Sequence, residues 1–161
     1  MTEESLDGID IAILQRLQED GRISNVDLAE KVGLSSTPCL RRVRQLEEDG
    51  LIDGYRAVLD RKKAGFGITV FVSIKIAGHR AENAADAQKI FQEMSEVISC
   101  HVISGEADFL LEIVVEDLGA YEEFMFHKLI VLPVVKDVHS NFVIRTVKEQ
   151  APLPVSHLKK Q

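Results

Sequence analysis

The apolar pattern changes its period once, near Leu51, and this change constrains the fold more than any other feature of the chain. Before it, apolar residues recur at helical spacing; after it, they alternate. Ile9, Ile13, Leu14 and Leu17 give one helix, with Asp7 as its N-cap and Gly21 as its stop. Ser24-x-x-Asp27 has the form of a capping box and opens a second helix, which should bury Val26, Leu28, Ala29 and Val32 and close at Gly33. Ser35-Ser36-Thr37-Pro38 supplies hydroxyl caps and a first-turn proline for a third helix, which runs to about Asp49 and ends at Gly50.

Ile68, Val70, Val72, Ile74 and Ile76 then alternate strictly, the mark of a strand with one buried face. Ala84, Ala87, Phe91 and Met94 mark an amphipathic helix. Two β-rich runs follow, 97–103 and 109–116, joined by Ser104-Gly105-Glu106-Ala107-Asp108. A further helix on Leu118, Tyr121, Met125 and Leu129 stops before Pro133, and a last strand is expected over about 138–147. The order β-α-β-β-α-β is the ferredoxin-like arrangement, so the fold class is α+β: an N-terminal tri-helical unit and a C-terminal ferredoxin-like domain. The expected boundaries are 1–52 for the helical domain, 53–67 for an extended linker, 68–148 for the ferredoxin-like domain and 149–161 for an extended tail.

Composition removes the other classes. At 45% hydrophobic and 28% charged, the chain excludes collagen-like, low-complexity and broadly disordered readings. No apolar run approaches the roughly 20 residues of a membrane span, and the acidic N-terminus carries no secretory pattern. Cys39 and Cys100 form neither a zinc pattern nor a disulfide framework, so a reducing cytoplasm is the simplest address. Cys100 and His101 are adjacent on a strand and point to opposite faces, so they cannot chelate one metal; His79, His127, His139 and His157 have no metal spacing. No phosphate loop, nucleophile elbow or paired-carboxylate signature is present, so neither a cofactor nor an enzyme activity is expected.

A formal net charge of −7 argues against a nucleic-acid partner until its distribution is considered. Residues 1–52 hold 6 Lys+Arg and 11 Asp+Glu, yet there is no acid between Lys31 and Glu47, where Arg41, Arg42 and Arg44 lie. With Leu40, Val43 and Leu46 as the inward stripe of the third helix, Thr37, Arg41 and Arg44 share an outward face, flanked by Pro38, Arg42 and Gln45. A helix of about 12 residues fits the major groove, where Arg pairs with guanine and Gln with adenine. The second helix can offer the Ser24 and Asn25 amides to a phosphate. Two helices joined by the short turn Gly33-Leu34-Ser35 make the helix-turn-helix plan, with Ser35 and Ser36 at the start of the DNA-reading helix. The competing reading is a solvated helix face; the alternative function is a ferredoxin-like ligand-binding module or enzyme whose N-terminal helices only oligomerise. Affinity per helix pair should be modest, so a dimer with two such helices about one DNA turn apart is expected.

Leu6-Asp7-Gly8-Ile9-Asp10-Ile11-Ala12-Ile13-Leu14, Asp20 to Asn25, and Val32 to Val43 resemble the leucine-responsive regulatory protein/AsnC family. The similarity continues through Leu46 to Ile52, Gly54-Tyr55, Cys100 to Leu111 and Leu132-Pro133. The resemblance implies a transcription regulator with a winged-type helix-turn-helix and a ferredoxin-like domain that senses small effectors, usually amino acids. It also implies dimers formed through the sheets, often assembled into octameric rings. By the same resemblance, the Ser104–Asp108 hairpin lines the effector pocket. Ser104, Gly105, Asp108 and Phe109 are then the candidates, joined by His139 and Ser140 from the last strand. An amino acid needs an acidic acceptor for its ammonium and N–H donors for its carboxylate. Asp108 and a backbone opened by Gly105 supply both, although Gly-x-x-Asp between two strands is first of all a turn, with Glu106 facing solvent. The family commonly has Leu-Pro-Gly-Val where this chain has Leu132-Pro133-Val134-Val135, and the following Val138-His139-Ser140-Asn141 lacks the family's threonines. Both departures fall near the expected pocket and leave the effector open.

Overall fold

The computed structural model describes residues 6–78, 81–149 and 151–158, which divide into two compact units, 1–58 with 148–161 and 59–147. The first unit contains α1 (Gly8–Glu19), α2 (Asn25–Val32) and α3 (Ser36–Glu48). Asp7 caps α1: its Oδ1 accepts from the Ile9 and Asp10 amides at 2.8 and 2.9 Å, while its own amide donates to Asp10 Oδ2 at 3.0 Å, completing a capping box. Gly33 ends α2 in the left-handed conformation (φ 71°), where a glycine is least strained, and turns the chain toward α3. α1 ends in an extended Asp20 rather than at Gly21 itself.

The core of this unit is Ile13, Leu14, Leu28, Ala29, Cys39, Val43 and Leu46. Two expected core positions are corrected. Val26 is 64% exposed, because the buried face of the short α2 is satisfied by Leu28 and Ala29. On α3 the inward stripe is Cys39, Val43 and Leu46, and Leu40 turns outward. A spacing of four then three brings Cys39 onto the stripe as well as a spacing of three and three brings Leu40; the packing of α2 against α3 selects the smaller side chain.

The C-terminal segment is not a free extended tail. The Gln18 side-chain amide accepts from the Leu153 amide at 2.6 Å and donates to the Leu153 carbonyl at 3.3 Å, and a 3-10 turn (Val155–Leu158) follows with Val155 buried. The expected linker also divides. Tyr55 donates to Glu47 at 3.0 Å within the first unit, whereas 60–65 form a hydrogen-bonded turn of the second, with the Ala64 amide on the Asp60 carbonyl. Among the described residues of 51–67 there is no strand.

The second unit holds β1 (Ile68–Ile76), α4 (Ala81–Glu93), β2 (Val97–Val102), β3 (Phe109–Val115), α5 (Leu118–Phe124) continued by a π-helical turn (Met125–Leu129), and β4 (Val135–Phe142). The strands order β2-β3-β1-β4 with every neighbouring pair antiparallel, the ferredoxin-like sheet. Val70, Val72 and Ile74 are fully buried on one face, with Ala87, Phe91, Tyr121, Phe124, Met125 and Leu129 packed on them from the helices. Phe91 and Phe109 meet edge to face at 5.4 Å. Leu118 is 61% exposed, and Phe124 takes the buried place expected of it. The last strand begins three residues before its expected start and ends at Phe142, because β4 starts as soon as Pro133 is passed and a bulge at Lys75/Ile76 lets β1 pair with Val135. Gly67 sits where a Cβ would lie 2.6 Å from the Glu116 carbonyl oxygen, so the entry to β1 admits glycine alone without a shift. No described helix is long and apolar enough to cross a membrane.

Candidate nucleic-acid interface and ligand hairpin

α3 presents Thr37, Arg41 and Arg44 on an exposed face, at the spacing the helix period requires. Neither Arg41 nor Arg44 has an ion-pair partner among the described residues. Leu40, which sequence periodicity places inside, lies 38% exposed beside them. The signal that finds it is Cys39, whose burial forces Leu40 off the inward stripe. Gln45 flanks the face and donates to Asp49 Oδ1 at 3.0 Å.

Arg42 is placed differently. Its Nη1 donates to Asp7 Oδ2 and Asp10 Oδ1, both at 2.8 Å, and the side chain is 29% exposed. Of the three arginines in the acid-free stretch, Arg42 is therefore held by α1. The Asp10 backbone amide, with Arg42 behind it, holds the Asp7 carboxyl below its ordinary range, and Asp10 and Asp7 together raise Arg42 above its own.

At the other end of the motif, Ser35 makes no side-chain cap, so its hydroxyl, unlike that of Ser24, has no helix to serve. Ser24 Oγ accepts from the Asp27 amide at 3.1 Å and donates to Asp27 Oδ2 at 2.6 Å. Asn25 Nδ2 donates to the Ser36 carbonyl at 2.8 Å, tying the start of α2 to the start of α3, and its Oδ1 is buried without a hydrogen-bond partner. Both side chains therefore shape the motif, and the Asp27 carboxylate lies in the first turn of α2, where a phosphate would approach. Beyond α3, burial and then Glu47 push the Tyr55 hydroxyl up to about 12, so this tether stays protonated across the neutral range.

In the second unit the hairpin after β2 turns at Ser104, Gly105 (φ 122°) and Glu106, all exposed. The Ile103 amide donates to the Asp108 carbonyl at 3.0 Å and the Asp108 amide to the Ile74 carbonyl at 2.9 Å. Asp108 Oδ2 accepts from the Ile76 amide at 2.9 Å, beyond the last β1–β3 pair, so one carboxylate oxygen holds the strand end. Phe109 is corrected: it is 1% exposed and packed edge to face on Phe91, because its place on β3 turns it toward the helices. His139 and Ser140 point to opposite faces of β4. Ser140 lies within 2.6 Å of the Tyr121 hydroxyl on the helix side, and His139 pairs with Asp137 at 3.2 Å on the other, so one ligand cannot meet both. The residues that do lie at the hairpin's end of the sheet are Ile76, Ala77 and Val134, the last accepting from the Ala77 amide at 2.8 Å. No group of three or more His, Cys, Asp or Glu able to hold a metal occurs among the described residues.

A family model described as the Lrp/AsnC ligand binding domain matches residues 69–153, and one described as a winged helix-turn-helix DNA-binding domain matches 6–53. The chain is 41% identical over 150 residues to the Bkd operon transcriptional regulator of Pseudomonas aeruginosa, covering 93% of this chain and 98% of that one. It is 40% identical over 146 residues to the leucine-responsive regulatory protein of Haemophilus influenzae, covering 91% and 88%. Among solved structures, a Neisseria meningitidis transcriptional regulator in complex with L-Met superposes with a TM-score of 0.92 at 38% identity, covering 95% of this chain and 99% of that one. An AsnC family transcriptional regulator from Agrobacterium tumefaciens gives 0.89 at 40%, covering 94% and 99%.

Proposed function

Since the chain belongs to the Lrp/AsnC family of transcription regulators, we propose that α3 is the element that reads DNA and that the Ser104–Asp108 hairpin senses an amino acid. The observation that carries the first part is the acid-free face of Thr37, Leu40, Arg41 and Arg44, with neither guanidinium paired to an acid among the described residues. Ser35 and Ser36 stand at the helix start to meet a phosphate, and Gln45 can leave the exposed Asp49 for a base edge. The anionic remainder weakens binding to arbitrary sequence, so specificity rests on this face.

Support for an amino-acid effector is of two kinds. One relative is named leucine-responsive and one structural neighbour was solved with L-Met. The hairpin here offers an acidic oxygen beside exposed backbone at Gly105, the pairing a zwitterion needs. An effector that binds one assembly more tightly than another shifts their populations and, with them, the DNA affinity. We place the protein in the cytoplasm with its DNA, as a homodimer joined through the sheet face that carries Phe71 and Ser73 and able to assemble further to an octamer.

Binding to a promoter duplex across a salt series tests the reading. Arg41→Ala should weaken the best site by about 1–3 kcal/mol and relax the preference at one base pair. Unchanged affinity and unchanged preference would remove α3 from the interface.

A further inference from the structure

The pairing of Arg42 with α1 is more complete than a surface ion pair. Every oxygen of the two carboxylates accepts a hydrogen bond. Asp7 Oδ1 takes the Ile9 and Asp10 amides, Asp10 Oδ2 takes the Asp7 amide, and the two remaining oxygens take Arg42 Nη1 at 2.8 Å each. The capping box holds both carboxylates independently of Arg42, so pairing with it costs them little further side-chain freedom. Asp10 is the more enclosed partner, with 15% of its side chain exposed. A cleft of about 600 Å³ lined by Asp7, Asp10, Arg41, Arg42, Gln45 and Asp49 surrounds the pair and leaves the guanidinium room to leave.

Arg42 lies one residue from Arg41, on the rim of the face proposed to read DNA, where long basic side chains of a docked helix meet backbone phosphate. Phosphate contacts carry no sequence information, and each adds to binding at every site on a genome. We propose that Asp7 and Asp10 are specificity-determining residues that withhold Arg42 from the duplex, so that α3 binds DNA with fewer sequence-blind contacts than its arginines allow. The proposal rests on the reading of α3 given above.

The test uses the full chain and two duplexes of about three helical turns, one of random sequence and one recovered by selection from a random pool. Each is titrated across salt with wild type, D7N/D10N, R42Q and D7N/D10N/R42Q; asparagine keeps the N-cap. Release of Arg42 should steepen the salt slope of D7N/D10N on the random duplex by about 0.9 per bound chain and tighten that binding several-fold. The preference for the selected duplex should fall accordingly. R42Q should keep the wild-type slope, and the triple variant should return to it, which separates the released cation from the simple loss of two negative charges. A D7N/D10N slope equal to wild type overturns the proposal, as does R42Q flattening the slope by about one phosphate. If D7N/D10N melts too early to titrate, D7N and D10N are titrated singly; each removes one of the two acceptors and should steepen the random-duplex slope in the same direction by less, and two wild-type slopes overturn the proposal. Arg41→Ala affinities equal to wild type on both duplexes would instead show that α3 is away from the DNA, a failure of the earlier reading and a distinguishable one.

Discussion

Asp108 shows how one side chain can hold the fold and still offer chemistry. Truncation to alanine would leave the Ile76 amide without its acceptor, at a cost of about 1–3 kcal/mol, and confuse loss of ligand with loss of strand. Asp108→Asn keeps that acceptor and removes only the charge. It should leave promoter affinity within about twofold of wild type while abolishing the effector-dependent change, measured by titrating amino acids into the DNA complex; superimposable titrations would exonerate Asp108. Asp7 carries a pH consequence. Its carboxyl is held below its ordinary value by the Asp10 amide first and by Arg42 as well, so the stability it contributes is full above about pH 4 and is lost as pH falls toward the folded value. The melting-temperature gap between wild type and R42Q should therefore be constant near neutrality and shrink in acid. Sequence periodicity reaches such residues only as far as their backbone phase. It places Asp7 as a cap and Arg42 on a rim, but the partners of Arg42 lie 35 and 32 residues away and are invisible in one dimension.

Elements follow the same division. β1 matches its alternation residue for residue because both its neighbours are strands and its helix-side face is sealed. β4 is an edge strand with mostly exposed residues, so alternation is too weak to set its start, and pairing with β1 sets it instead. Phe91 on α4 is fully buried against Phe109 between helix and sheet, and Phe91→Ala should destabilise the chain by about 3–5 kcal/mol in denaturant unfolding. The C-terminal segment is read as extended from Pro152 and Pro154, and what the prolines conceal is its dock. Gln18 pairs with both polar groups of Leu153 as a neighbouring strand would. Gln18→Ala should speed limited proteolysis between Lys148 and Pro154, with the second unit's fragments unaffected; equal cleavage rates would make the dock incidental.

For the molecule as a whole, the second unit has one sheet face packed by helices and one without them. On the latter stand Phe71, 38% exposed, and Arg61, which donates to Thr69 and to Glu112 at 3.2 and 2.8 Å. The dimer proposed above would cover Phe71 and leave this ion pair satisfied. Phe71→Glu should lower the assembly state by light scattering while leaving each chain folded by circular dichroism. A ligand that binds only the folded state stabilises it by about 2.7 kcal/mol at a hundred times its dissociation constant. A melting-temperature panel of the twenty amino acids should therefore single out the effector, and a uniformly flat panel would count against the hairpin as an amino-acid site.

Local chemistry alone determined the helical half, the alternating half, their caps and turns, and the acid-free stretch that marks α3. These depend on neighbours within one or two turns of the same chain, and periodicity records such neighbours faithfully. Tertiary structure decided which of two helix phases turned inward at Cys39 and Leu40, where β4 began, which faces His139 and Ser140 took, and which arginine paired with α1. Each of those depends on a group distant along the chain but within a few ångströms in space, and contact at that range follows from packing rather than from spacing.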